Sequence, residues 1–220
     1  AEPDGLLAIG GDLTPERLLL AYSSGLFPWF NDGQPPLWWC PDPRCIFEPG
    51  QMYQSKSLLK TLRRSTYRVT VNSDFAAVIK ACADVREGQG EETWITGPLT
   101  DAFLALHRMG YAHSVECWQD GKLAGGLYGV CLGRCFFGES MFHIGRDSSK
   151  VALAHLQRMA KENGFELVDC QLTNEHLRSL GAREIPREEF LARLLKGGVE
   201  PSDHPVRGVM NFPSGGFSDW

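Results

Sequence analysis

The chain is predicted to be an α+β protein. A small N-terminal module precedes a larger domain whose mixed, mostly antiparallel sheet is flanked by helices. Three observations carry this expectation. From about residue 65 onward, strand-like apolar runs and helix-like runs alternate. Asp120-Gly121 is a two-residue hairpin signal, which makes the strands on either side antiparallel. A strand–helix–strand unit across 135–171 demands a crossover, and so one parallel or split pairing.

The elements follow in order. Thr14 as N-cap, Pro15 at the first helical position and Gly25 as a stop predict a short helix. Phe27-Pro28-Trp29-Phe30 and Gln34 to Pro43 come next, a stretch dense in tryptophan and proline. Proline at that density predicts an ordered loop rather than a ladder or helix. A basic helix near 55–64 follows, and a boundary is placed at residue 64, giving an N-terminal module over 1–64 and a second domain over 65–220. In that domain Tyr67–Val71 reads as a strand, Ser73–Ala83 as a helix and 88–93 as a polar loop. Pro98–Met109 reads as a helix stopped by Gly110, and His113–Trp118 and Lys122–Val130 as a hairpin. A further strand covers Cys135–Phe137. A helix capped by Ser148 or Ser149 runs to about Asn163, and Phe165–Gln171 is a strand. Short helices are expected at Asn174–Leu180 and Glu188–Leu195, and irregular structure after Gly197.

Composition narrows the function. The 220 residues are 43% hydrophobic and 22% charged, ordinary for a globular protein. The longest apolar stretches are a few residues and no secretory signal is visible, so no membrane partner and a cytoplasmic location are expected; a monomer is the expected state. Seven cysteines, an odd number in apolar contexts, suit reduced buried thiols. No Cys-x-x-Cys pair or zinc-spaced histidine pair occurs, so no metal is expected. A net charge of −5 argues against uniform nucleic-acid affinity, so any RNA contact needs a local basic patch. Lys56, Lys60, Arg63 and Arg64 share one helix face, with Leu58, Leu59 and Leu62 on another. That strip is either a solvated face or a contact for phosphates.

Four places could carry chemistry. On a strand, Asp169 and Gln171 share a face while Val168 and Cys170 point the other way, toward the core. The pair forms a candidate site, or else Asp169 orients the next helix and Gln171 is merely exposed. Glu139 lies within Phe136-Phe137-Gly138-Glu139-Ser140-Met141-Phe142. A carboxylate there needs a partner, either a cationic ligand beside an apolar pocket or a structural arginine such as Arg134 or Arg146. Trp29 and Trp94 could stack on nucleobases or anchor loops. No Ser/His/Asp or Cys/His arrangement, Walker loop or Gly-x-Gly-x-x-Gly is present, which argues against nucleotide-dependent activation.

Several runs together resemble the bacterial leucyl/phenylalanyl-tRNA–protein transferases. They include Gly5 to Leu13, Gly25-Leu26-Phe27-Pro28-Trp29-Phe30, Leu37 to Arg44, Thr93-Trp94-Ile95-Thr96, Gly126 to Val130, Phe137 to Phe142, Val168-Asp169-Cys170-Gln171 and Leu180-Gly181-Ala182. The resemblance covers about residues 4 to 195. It implies a GNAT-like acyltransferase domain behind the N-terminal module. It implies transfer of Leu or Phe, and less readily Met, from aminoacyl-tRNA to proteins beginning with Arg or Lys, which marks them for degradation. By position it implies Asp169 and Gln171 as the catalytic pair, Glu139 in the peptide site, and Trp29 and Trp94 around the adenosine. Leu127, Phe136, Met141, Leu153 and Val168 match the apolar pocket. The ester in such a donor is already activated, so no cofactor is expected. Two alternatives stand beside this reading: an acetyl-CoA-dependent N-acetyltransferase of GNAT type, whose pyrophosphate loop motif is not found, and a non-catalytic tRNA-binding module.

Overall fold

A computed structural model of the chain describes residues 5–88 and 95–210. Its elements run β1 (Leu6–Ile9), α1 (Pro15–Ser23), β2 (Phe27–Pro28), β3 (Leu37–Trp39), β4 (Arg44–Phe47), α2 (Lys56–Arg63), β5 (Arg68–Val71) and α3 (Phe75–Gly88). They continue with α4 (Gly97–Arg108), β6 (Ala112–Gln119), β7 (Lys122–Leu132), β8 (Cys135–His143), α5 (Ser148–Glu162), β9 (Leu167–Gln171), α6 (Glu175–Ser179), β10 (Arg183–Ile185) and α7 (Arg187–Lys196). Thr14 caps α1 by accepting from the Arg17 amide, as expected.

Seven strands form the main sheet in the order β10-β4-β9-β8-β7-β6-β5. Every neighbouring pair is antiparallel except β8 and β9, which the α5 crossover makes parallel. Asp120 and Gly121 both take positive φ, the turn that an Asp-Gly hairpin requires. One face of the sheet buries Leu18, Leu19, Phe75, Phe103 and Phe190 from α1, α3, α4 and α7. The other buries Leu58 and Leu62 of α2 with Val151, Leu156 and Met159 of α5. Gly125 makes the second contact close: a Cβ there would meet the Ser148 hydroxyl at 2.2 Å. Neither serine caps α5. Its N-cap is Asp147, with φ 61° and no side-chain cap, and the Ser148 hydroxyl donates instead to the Ala124 and Gly145 carbonyls.

One expectation needs correction. The Trp/Pro-rich stretch is not all loop. Leu37–Trp39 is the central strand of a three-stranded sheet, order β1-β3-β2, because the prolines around it flank rather than interrupt it. Pro28 lies in the edge strand β2, where a missing N–H is tolerated. The line at residue 64 does not coincide with a break in the sheet. β4, which precedes it, sits inside the seven-stranded sheet between β10 and β9. In the tail, the Tyr111 hydroxyl donates to the Pro205 carbonyl, and Leu132 bridges Arg207. No helix among the described residues is long and apolar enough to cross a membrane.

Candidate active site where two parallel strands part

Strands β8 and β9 pair from Cys135↔Leu167 through Phe137↔Asp169, and there the pairing ends. Just beyond, both strands carry an irregularity. On β8, Tyr128 faces Ser140 and Gly129 faces Gly138, which leaves Glu139 unpaired in a bulge. On β9, Gln171 faces Cys45 and Asp169 faces Ile46, so Cys170 is the extra residue. A one-residue bulge reverses the inside–outside alternation of a strand. Phe136 and Met141 are five apart and should face opposite ways. The bulge at Glu139 instead turns both toward the α5 face.

The consequence is a cavity of about 300 Å³ between the parted strands. Leu127, Phe136, Met141, Leu153 and Val168 line it, together with Phe47 and Leu156. At its mouth stand Glu139, Ser140, Cys170 and Gln171. The Ser140 hydroxyl is buried without a partner among the described residues. A second, smaller hollow of about 110 Å³ shares Glu139, Cys170, Gln171 and Leu172 and is walled by Phe27, Pro28 and Trp29. Trp29 is 43% exposed and tilts against Trp39 at 5.9 Å between ring centres. Trp94 lies outside the described residues.

The two carboxylates at this junction differ sharply. Asp169 is fully buried, and both its oxygens are held by Arg44, at 2.8 Å from Nε and 2.7 Å from Nη2. Arg44 is equally buried, sits against the Phe27 and Phe190 rings, and donates to the Gly25 carbonyl at 3.0 Å. Burial alone would lower the Arg44 pKa, but Asp169 beside it reverses the sign and raises it. Glu139 forms no salt bridge among the described residues, although the Arg44 charge acts on it from a distance. It accepts a 2.6 Å hydrogen bond from the Tyr22 hydroxyl and a long 3.4 Å one from Gln171 Nε2. Burial raises the Glu139 pKa to about 8, opposed by the Tyr22 hydrogen bond.

The bulge at Cys170 and a φ of 57° at Gln171 break the alternation on which the expected shared face rested. Asp169 turns to the α1 and α7 side, into the Arg44 pair. It reaches Gln171 through the backbone, accepting from the Gln171 amide at 3.1 Å. The Gln171 side chain is partly exposed and bends to Glu139. Val168 does enter the α5-side core, where it lines the cavity, and Cys170 is only half-buried. Burial pushes the Cys170 thiol well up, so it is a poor nucleophile. Glu139 pairs with neither Arg134 nor Arg146; Tyr22 is its partner.

Tyr22 and Arg44 escaped sequence reasoning. Arg44 opening the apolar run Cys45-Ile46-Phe47 was a usable signal, since an arginine there needs a buried acid. Tyr22 carries no such signal within α1. Lys56, Lys60, Arg63 and Arg64 are all exposed on α2, and none forms a salt bridge among the described residues. α2 packs on α5, whose Leu153 and Leu156 line the cavity.

Comparison with known proteins agrees in extent with this architecture. The family described as leucyl/phenylalanyl-tRNA protein transferase matches residues 46–195, and its N-terminal domain matches residues 11–42. A leucyl/phenylalanyl-tRNA–protein transferase from Syntrophotalea carbinolica is 56% identical over 97% of this chain and 92% of the relative. One from Desulforapulum autotrophicum is 55% identical over 88% of this chain and 85% of the relative. One from Anaeromyxobacter dehalogenans is 55% identical over 92% of this chain and 87% of the relative. Identity of this order over nearly the whole length of both partners makes the chain a member of the leucyl/phenylalanyl-tRNA protein transferase family.

Proposed function

We propose that this chain moves Leu or Phe, and less readily Met, from aminoacyl-tRNA onto the N-terminal Arg or Lys of acceptor proteins, which marks them for degradation. One observation carries the reading: an apolar cavity of about 300 Å³, with room for a Leu or Phe side chain, opens onto a carboxylate–amide pair that forms no salt bridge among the described residues. The parted parallel strands also suit a GNAT-like acyltransferase domain, in which the acyl donor lies between splayed strands.

In this reading the aminoacyl side chain fills the pocket of Leu127, Phe136, Met141, Leu153 and Val168. The adenine stacks on Trp29, with Trp94 as its second wall. Glu139 takes up the cationic end of the acceptor, and Gln171 accepts a hydrogen bond from the attacking amine. The neutral amine attacks the ester carbonyl, the new C–N bond forms, and the bond to the tRNA 3′ oxygen breaks. The proton leaves the amine for that oxygen through water or the neighbouring hydroxyl. Gln171 orients but does not take the proton, because an amide is a very poor base. Asp169 acts from behind, fixing the Gln171 backbone. Placement of two reactants in this way supplies most of the rate, since the ester is already activated. Burial in the pocket selects apolar side chains, whereas Val and Ile differ by shape worth only about 1–3 kcal/mol. Lys56, Lys60, Arg63 and Arg64 contact the tRNA backbone.

The test supplies Phe-charged tRNA and a peptide beginning with Arg. Peptide-bond formation supports the proposal. Turnover of acetyl-CoA instead, or tRNA binding without product, contradicts it.

A further inference from the structure

On the same face of the sheet as the cavity, α2 meets the loop that enters α5. Ser57, Lys60, Thr61 and Arg64 of this region, with Thr66, Arg146 and Asp147, line a separate cleft of about 290 Å³. Three cations face it. Lys60 and Arg64 form no salt bridge among the described residues, and the Arg146 side chain is 87% exposed. The single carboxylate, Asp147, is already engaged by Lys150 at 3.1 Å and lies 3.7 Å from Arg146 Nε. The Thr61 and Thr66 hydroxyls donate to the Ser57 and Thr61 carbonyls, so recognition rests on the cations.

The loop that carries Arg146 is fixed by its backbone. The Tyr67 hydroxyl donates to the Arg146 carbonyl at 2.8 Å, and the Tyr67 ring packs where a Cβ on Gly145 would sit, 2.5 Å from its hydroxyl oxygen. Ser148 holds the next turn. A fixed backbone presenting a largely exposed guanidinium, held only by a long 3.7 Å contact to Asp147, is suited to a planar, two-pronged grip on a phosphate, with Lys60 and Arg64 adding charge from the facing wall. The positive surface also leads toward the cavity. Lys150 follows on α5, and with His143 it disfavours a charge on His176 of α6, after burial. Leu153 lies five residues past Ser148, about 7.5 Å along the helix.

We propose that this cleft is a discrete phosphodiester site for the donor tRNA, in which Arg146, Lys60 and Arg64 together grip one backbone phosphate near the charged end. The tRNA is thus held across the join between α2 and the α5 loop, not along α2 alone. The inference rests on the transfer reading above.

The experiment uses the full chain, the variants Arg146→Ala and Arg146→Lys, and Lys122→Ala as an exposed control. Transfer from Phe-charged tRNA is compared with transfer from phenylalanyl-adenosine, which has no phosphate. Arg146→Ala should raise KM for the tRNA roughly five- to tenfold with kcat unchanged, the range for losing one charged hydrogen-bonding group at an exposed site. It should lower the slope of log KM against log salt by about one, the loss of one phosphate contact. Arg146→Lys should recover part of both, and phenylalanyl-adenosine should be used as well as by the unaltered chain. An unchanged KM and slope overturns the proposal, as does an equal loss with both donors, or an equal loss in Lys122→Ala. If the unaltered chain transfers from neither donor, the reading of the reaction fails separately. The cleft is then judged by tRNA affinity, where the same loss and the same change in slope are required.

Discussion

Asp169 and Glu139 lie on neighbouring strands, one at the last residue of β9 paired with β8 and the other in the bulge of β8, yet the fold treats them in opposite ways. Asp169 is sealed against Arg44 under Phe27 and Phe190, with both oxygens matched by a planar fork. Glu139 is drawn out of water, and its hydrogen bonds among the described residues are to a phenol and a distant amide, with the Arg44 and Asp169 charges acting on it in opposite senses. The first arrangement completes a charge pair and builds a frame. The second leaves a carboxylate short of a cation beside an apolar cavity, which is how a binding site for a cation is made. In the proposed reading the two carboxylates divide the labour: one fixes the strand end and the other takes up the cationic ligand.

The largest expected effect breaks the frame. Arg44→Met leaves Asp169 buried without its partner and should cost about 3–5 kcal/mol of stability, read by denaturant unfolding. The double variant Arg44→Met/Asp169→Leu should recover much of that loss, yet remain poor in transfer, because the Gln171 amide no longer has its carboxylate. Full recovery of transfer in the double variant would reduce Asp169 to a packing role.

Next in size is Glu139→Gln. Transfer to a peptide beginning with Arg should fall about 30- to 100-fold, the value of a charge-assisted contact, while the fold persists. The pH dependence sharpens the point. The folded Glu139 pKa, about 8, lies above its ordinary value of 4.5, so the native state binds the extra proton between those limits. Native stability contributed by that proton is complete at low pH and fades as pH rises toward about 8. The stability of the unaltered chain minus that of Glu139→Gln should therefore decline from about pH 5 to about pH 8, a trend that thermal melts across this range would detect.

Tyr22→Phe is a smaller perturbation. Loss of one hydrogen bond to Glu139 should shift the Glu139 titration upward and reduce transfer roughly tenfold. A pH profile identical to that of the unaltered chain would remove Tyr22 from the site.

Much of this was legible in the sequence, and the gaps have physical causes. The Asp120-Gly121 hairpin, the helix after Pro98 and the crossover from β8 through α5 to β9 follow from local signals that tertiary packing did not override. Strand β8 was expected to stop at Phe137 but runs to His143, because the bulge at Glu139 spoils the alternation by which a strand is read. The same device at Cys170 undid the expected shared face of Asp169 and Gln171. β4, paired on both sides, and the edge strand β10 are short pieces whose pairing is set by distant partners, so no local alternation announces them. Phe136 and Met141 were expected beside Glu139 from the apolar run itself, with Phe142, which packs on the other face instead; Leu127, Leu153 and Val168 came from the resemblance, and the convergence depends on the β8 bulge, which sequence spacing conceals.

The central claim is that Glu139 is a carboxylate kept for a cationic acceptor. The most direct test is a carbon-detected magnetic resonance titration of the Glu139 carboxyl, alone and with a peptide beginning with Arg. The account predicts a midpoint near 8 in the free protein and a clear fall when the peptide binds. A midpoint near the ordinary 4.5 in the free protein, or no movement on adding saturating peptide, would contradict it.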